Sequence, residues 1–388
     1  MSDNEDWTPD GKRRKIIVKK TPEQLMRQKI RDSSLPSKVK KEAYNRLEHN
    51  DKEKTLEWIE HLLKIPYNKY VSLPVDKLTP EDKMTKYFEK VSSTLNDAVY
   101  GMNNAKEEVL NYIAQFISTN SNTMPRILGL QGSAGTGKTS LVRRGFAKAL
   151  NRPIQCISMG GSRDSNYFLG HDFTYVGSRY GMITQCLIQL GCMNGIIFMD
   201  EVDKISNSSD GIEIQNMLLH VTDPVQNNTF QDKYFAGIDI DLSKIIFVFS
   251  FNHEAAIDPI LRDRIHIIRI ADPSLNEKIV IGSKYLLKEV QTNIGFKAGD
   301  VCIPDEICDY IIKHYTKLSD KGVRGLKKCI ESILLKLNTA RYIGTSLQKY
   351  KCLKNKIKFP LTVSRDMVDE LLRDSKPEED KYLTTMYL

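Results

Sequence analysis

The chain has no Cys-x-x-Cys pair, and its seven cysteines, at 156, 186, 192, 302, 308, 329 and 352, are odd in number and scattered. That pattern excludes a disulfide framework or a thiolate zinc site as the organising feature and fits reduced thiols in a cytosol-like compartment. No secretory leader is evident, and the opening residues Met1 to Asp6 are acidic, against a mitochondrial transit peptide. No apolar run approaches the length of a membrane span. Internal repeats and low-complexity tracts are also missing. The expectation is a soluble intracellular protein, cytoplasmic or nuclear, with no membrane partner.

What is present suffices for two or three compact domains: 388 residues, 40% of them hydrophobic. The net charge of +8 comes from 57 Lys+Arg against 49 Asp+Glu, with part of the surplus in Lys12, Arg13, Arg14, Lys15, Lys19 and Lys20. Such a run can aid weak contact with nucleic acid or acidic proteins without demonstrating either, and the plainer reading is a solvated tail.

Residues 1–34 have little apolar periodicity and read as a basic flexible arm, with some helix from Pro22 onward. Val39, Ala43 and Leu47, then Trp58, Ile59, Leu62 and Leu63 up to Pro66, mark a helical segment over 35–83. Helices are expected over 82–95 and 104–117. Short runs at 127–131, 154–158, 196–200, 245–250 and 265–270 are apolar throughout, as strands covered on both faces should be. Helical stretches between them imply βαβ units and a parallel sheet, an α/β domain over 84–272. Beyond Asp272-Pro273 only helices are expected, over 277–290, 304–315, 323–342 and 364–373, forming an all-α domain over 273–374. A charged tail, 375–388, follows.

Gly132, Ser133, Ala134, Gly135, Thr136, Gly137, Lys138 and Thr139 follow the first strand and open a helix at Ser140. That is the setting a phosphate loop requires. The glycines let backbone N–H groups turn toward phosphate oxygens beside a helix N-terminus, Lys138 adds a positive charge, and the Thr139 hydroxyl suits Mg²⁺. ATP with Mg²⁺ is the implied ligand. The run 196–200 ends in Asp200 and Glu201: Asp200 is placed to hold Mg²⁺, and Glu201 to orient and deprotonate the attacking water. An acidic helix cap would leave the apolar run before the pair unexplained. The next strand leads to Asn252, whose side chain can touch both the γ-phosphate and that water, although polar turn residues commonly follow strands.

Further runs carry a family likeness. Gly160 to Asp164, Gly170-His171, Thr174-Tyr175-Val176-Gly177, Asp223 to Phe230 with Asp232 and Tyr234, and Gly322 to Leu326 resemble the Lon protease family, as does Trp58 to Lys69 ahead of them. The resemblance runs from about Leu35 to Arg373. It implies an AAA+ P-loop NTPase with a five-stranded parallel sheet, preceded by a helical segment and followed by an all-α lid. It also implies that Asn252 is the first sensor of the γ-phosphate, Arg264 the arginine finger reaching a neighbouring subunit (Arg262 being the runner-up), and Arg324 the second sensor. Tyr175 and Val176 would form a pore loop that grips an unfolded polypeptide in a hexameric ring; the alternative for Tyr175 is a packed core aromatic.

There are departures from the pattern. Leu169, Asp172 and Phe173 stand where the family is usually basic, and Tyr180-Gly181 replaces a proline-glycine pair. A Ser-Lys peptidase domain and a large N-terminal recognition domain are expected to be absent, leaving a protein unfoldase or remodeller suited to quality control. Two other roles stay open: proteolysis with a separate peptidase chain, and a nucleotide-switched nucleic-acid module using the basic arm. A non-hydrolysing decoy subunit is a third, and intact Glu201, Asn252 and Arg264 stand against it.

Overall fold

A computed structural model describes residues 21–49, 52–119, 127–161, 164–175, 177–206, 208–317, 319–343, 350–353 and 358–375. The basic run 12–20 and the tail 376–388 lie outside the described residues. Contacts divide the chain into two compact units.

The larger unit comprises Leu73–Ser162, Ile196–Asn207 and Ile246–Leu388. It holds strands β1 (Ile127–Gln131), β2 (Ile154–Ser158), β3 (Ile196–Asp200), β4 (Ile246–Phe251) and β5 (Ile265–Arg269). They form one sheet in the order β2-β3-β4-β1-β5, every neighbouring pair parallel. All six residues of β4 and the first four of β3 are buried, so these strands read as apolar runs without alternation. The helices Glu81–Ala98 and Asn103–Ser118 lay Val91, Leu95, Val109, Ile113 and Phe116 into the same core as Leu128, Phe146, Phe198 and Val248. From Lys138 a helix runs to Ala149, with a π-helical stretch at Leu141–Phe146.

The lid follows within this unit. A Ser274–Glu277 capping box starts its first helix directly after Pro273. That helix continues to Ile294 through a π-helical Ile281–Leu286, and Asp305–Tyr315, Arg324–Tyr342 and Arg365–Leu371 complete the set. Val290, Ile311, Ile330, Ile333, Leu334 and Val368 form its centre, each fully buried. Among the described residues the regular structure of the lid is helical apart from one parallel pair, Val301–Cys302 beside Leu361–Thr362. Two-residue strands have no periodicity to read, so the sequence there shows helices alone.

The smaller unit comprises Met1–Ser72, Arg163–Gly195 and Ser208–Ile245. The last two stretches fall inside the α/β domain by sequence order, yet they pack with the first helices. Those helices are Pro22–Asp32, Ser37–His49 and Lys52–Leu62. The first occupies what sequence assigns to the end of a flexible arm. Thr21 and Gln24 cap it reciprocally, Pro22 opens it, and Met26 and Ile30 are buried four residues apart. Leu25, Met26 and Ile30 among charges make too short a stripe to signal which of them are buried. Trp58 is fully buried, donates from Nε1 to the Tyr234 carbonyl at 2.9 Å, and lies 4.3 Å beneath the Arg46 guanidinium. Among the described residues no helix is long and apolar enough to cross a membrane.

Candidate active site

The phosphate loop lies where β1 meets the Lys138 helix. Gly135 and Gly137 have φ of +78° and +102°, a conformation that side chains resist. Lys138 Nζ donates to the Gly132 carbonyl (2.6 Å), the Ser133 carbonyl (2.9 Å) and Oδ1 of Asn252 (2.9 Å). The lysine is buried, and that burial pulls its pKa down against the raising influence of Asp200, Asp203 and Glu201. The Thr139 hydroxyl donates to Oδ2 of Asp200 at 3.3 Å.

Adjacent strand ends hold the acidic pair. β3 and β4 pair in register up to Met199 and Phe249, so Asp200 and Ser250 come next to each other. The Ser250 hydroxyl donates to Oδ1 of Asp200 and accepts from the Glu201 backbone N–H at 3.3 Å. Glu201 has φ +60° and ψ +44°, left-handed backbone that a glutamate adopts at a cost of about 1 kcal/mol. Its carboxylate rests on Gly160: a Cβ there would lie 2.4 Å from Oε2. Asp203 Oδ2 accepts from the backbone N–H groups of Asn252 (3.2 Å) and His253 (3.1 Å), fixing the turn that presents Asn252.

The lid closes over this loop by backbone contact. Val323 N–H donates to the Gly135 carbonyl at 3.2 Å. A Cβ on Gly322 would meet the Ala134 carbonyl oxygen at 2.4 Å, so only glycine allows the approach. Arg324 thereby opens its helix beside Gly135. Ala134, Gly135, Gly137, Lys138, Thr139 and Ser140 line a cleft of about 280 Å³ together with Asp200, Glu201, Asn252 and Arg324. A second cavity of about 680 Å³ shares Gly137, Ser140 and Val323 with it. Val99, Tyr100, Met102, Ile281 and Tyr285 supply the apolar part of its lining, beside charged Asp97, Arg144, Lys284 and Lys288, with the two tyrosine rings 5.8 Å apart.

The structure thus brings Gly132, Ser133, Thr136, Lys138, Thr139, Asp200, Glu201, Asn252 and Arg324 to one place. It does not bring Arg264 or Arg262 there. Both end the Pro259–Arg264 helix, which Asp258 caps, and neither lines the cleft. Tyr175 belongs to the smaller unit and is 68% exposed, so it is not a packed core aromatic. Val176 lies outside the described residues. Phe173, one of the departures from the basic pattern, packs on Trp58 and Tyr234.

Ser250, Asp203, Gly160 and the apolar lining from Val99 to Met102 join the site without a motif in the sequence to mark them. Ser250 has one available signal: it lies near the end of the apolar run that leads to Asn252. The others depend on close approaches that no local pattern encodes.

The family described as "ATPase family associated with various cellular activities (AAA)" matches residues 128–273. A Lon protease homolog of Acanthamoeba polyphaga mimivirus is 42% identical over 261 residues, 67% of this chain and 25% of its own length. The Lon protease of Malacoplasma penetrans is 31% identical over 350 residues, 86% of this chain and 43% of the relative. That of Clostridium beijerinckii is 30% identical over 380 residues, 97% of this chain and 44% of the relative. The chain carries the AAA+ portion of the Lon family. It spans a quarter to under half the length of these relatives. As a Lon-like AAA+ ATPase portion it has the parallel sheet and phosphate loop of that class, and both carboxylates of the acidic pair stand at the C-terminal end of β3, facing that loop.

Proposed function

We propose that this Lon-family chain hydrolyses ATP as one subunit of a hexameric ring and uses the energy to pull and unfold polypeptide. The observation that carries the reading is the convergence of Lys138, Thr139, Asp200, Glu201 and Asn252 on one cleft beneath Arg324.

In this reading Lys138 exchanges the Gly132 and Ser133 carbonyls for β- and γ-phosphate oxygens, which restores favourable surroundings to its buried charge. Thr139 and Asp200 would hold Mg²⁺. Their oxygens are 3.3 Å apart. Among the described residues no cluster of three His, Cys, Asp or Glu side chains could cage a metal. Few protein oxygens plus phosphates are what Mg²⁺ prefers. When bound, the ion would supply charge neutralisation to the phosphates. Glu201, with its backbone held by Ser250 and its carboxylate against Gly160, takes the proton of the attacking water. Asn252 orients that water and the γ-phosphate. Arg324 donates from the lid, Arg264 donates into the neighbouring subunit's cleft, and each offers a planar cationic fork to phosphate oxygens. The Val99–Tyr285 cavity takes the adenine. Tyr175 and Val176 touch the polypeptide by apolar contact without reading its sequence.

The test is phosphate release at varied protein concentration, with and without reduced, carboxymethylated lactalbumin. Specific activity should rise with protein concentration, as a shared site requires, and rise again with the polypeptide. A turnover independent of both would sink the ring and the substrate class together.

A further inference from the structure

Asp232 sits among residues whose likeness to the Lon family comes with no role. It is fully buried in the smaller unit, where a carboxylate is costly unless its oxygens are satisfied. Oδ2 accepts from the Gly181 backbone N–H at 2.7 Å and from the Thr184 hydroxyl at 2.6 Å; Oδ1 accepts from the Tyr234 N–H at 3.0 Å. Gly181 is the N-cap of the Met182–Leu190 helix, so the carboxylate also occupies the end of that helix that favours negative charge.

The same carboxylate abuts the other end of the Tyr175 loop. A Cβ on Gly170 would lie 2.3 Å from Oδ1, and one on Gly181 would lie 2.1 Å from the Phe168 carbonyl oxygen and 2.6 Å from the Gly170 nitrogen. Two glycine backbones therefore meet face to face over one acid. His171 N–H donates to the Arg179 carbonyl at 3.0 Å just beyond them, closing a neck. Above the neck Phe173 packs on Tyr234 and Tyr180 stacks on Phe235, both rings supplied by residues that follow Asp232. From there to the exposed Tyr175, anchorage comes from Asp172, whose Oδ1 accepts from Thr174 N–H and Oγ1.

We infer that Asp232 is the positioning residue of the Tyr175 loop: by tying Gly181 and Thr184 beneath Gly170 it fixes both ends of the segment that meets polypeptide. The inference rests on the proposed role of Tyr175. A loop of this kind delivers force only if its base does not yield. Closing the base with glycines leaves its rigidity to hydrogen bonds rather than to side-chain bulk.

The experiment uses the full chain and three substitutions: Asp232→Asn, Thr184→Val and Thr184→Ser. Reduced, carboxymethylated lactalbumin is titrated into the ATPase assay, and hydrogen exchange is followed over residues 170–184. Asp232→Asn and Thr184→Val should raise the KM for the polypeptide by about tenfold and speed exchange at His171 and Gly181. Thr184→Ser, which keeps the hydroxyl, should behave as the parent. Faster exchange spread over the whole smaller unit would mean a general packing role and would overturn the inference, as would an unchanged KM. Tyr175→Ala run alongside separates the two claims. If it leaves the polypeptide response intact, the reading of Tyr175 fails. If it abolishes the response while Asp232→Asn does not, only the positioning role fails.

Discussion

Lys138 and Asn252 are joined directly, Nζ to Oδ1 at 2.9 Å. The lysine proposed to bind nucleotide and the side chain proposed to sense it thus hold each other. Asn252→Ala should leave ATP affinity within about threefold and lower kcat by about a hundredfold, the scale of losing one polar group aimed at the reacting centre. Lys138→Ala should instead abolish binding. Fluorescent-nucleotide titration set beside phosphate release separates the two.

Glu201 offers a second separation. Glu201→Gln keeps the shape and removes the proposed base, so ATP should bind normally while turnover drops by about a hundredfold or more. Gly160→Ala should approach the same outcome from a distance, because its methyl group would displace the Glu201 carboxylate. Single-turnover kinetics would show a slowed chemical step in both; an unaltered step in Gly160→Ala would mean the carboxylate relaxes away at no cost.

These two positions also show what the sequence could and could not reveal. The phosphate loop and the acidic pair are local: strand, turn and helix succeed one another within a few residues, and backbone geometry follows from glycine spacing. The five strands were visible for a related reason, since burial on both faces writes itself as continuous apolar runs. Ser250 against Asp200, Gly160 against Glu201 and Asp232 beneath Gly170 are different. Each joins positions brought together by sheet register or by packing, and a single sequence holds no record of such pairs. The grouping of Arg163–Gly195 and Ser208–Ile245 with the first helices escaped for the same reason.

The lid contact is testable through Gly322. Gly322→Ala would force the Ala134 carbonyl away and weaken the bond from Val323 to Gly135. The KM for ATP should rise by about tenfold, with a smaller change in kcat, because the loop that cradles phosphate is no longer held. Arg324→Ala should show the reverse weighting, a fall in kcat exceeding any change in KM.

Arg264 and Arg262 lie outside their own chain's cleft, which allows a mixing experiment. Arg264→Ala and Glu201→Gln subunits should each be inactive alone. Mixed in equal amounts they should recover part of the activity, since some boundaries then carry both an intact arginine and an intact base. Arg262→Ala should remain active by itself. Recovery with Arg262→Ala in place of Arg264→Ala would reverse the assignment.

Asp232 predicts a pH dependence. Burial pushes its carboxyl up to about 6 from the usual 3.8, against the lowering effect of its three hydrogen bonds. The folded state therefore binds this proton more tightly than the unfolded chain does. The associated stability is greatest below pH 4 and is lost as pH rises to 6, on the order of 3 kcal/mol in total. Relative to Asp232→Asn, the parent should lose melting temperature between pH 4 and pH 6 and run parallel above that. A flat difference across the range would show that the hydrogen bonds fully offset burial.

The hydrogen bond from Trp58 to the Tyr234 carbonyl spans 176 positions of sequence. During synthesis the first helices therefore emerge long before the rings and carbonyl that complete their packing. β1, β2 and β3 all lie between these partners in sequence and are made in the interval. The ribosome must therefore deliver three strands of the sheet before the Trp58 hydrogen bond can form. An early stop in translation would leave a bare tryptophan for chaperones to cover, and the loop bearing Tyr175 would lack its bed.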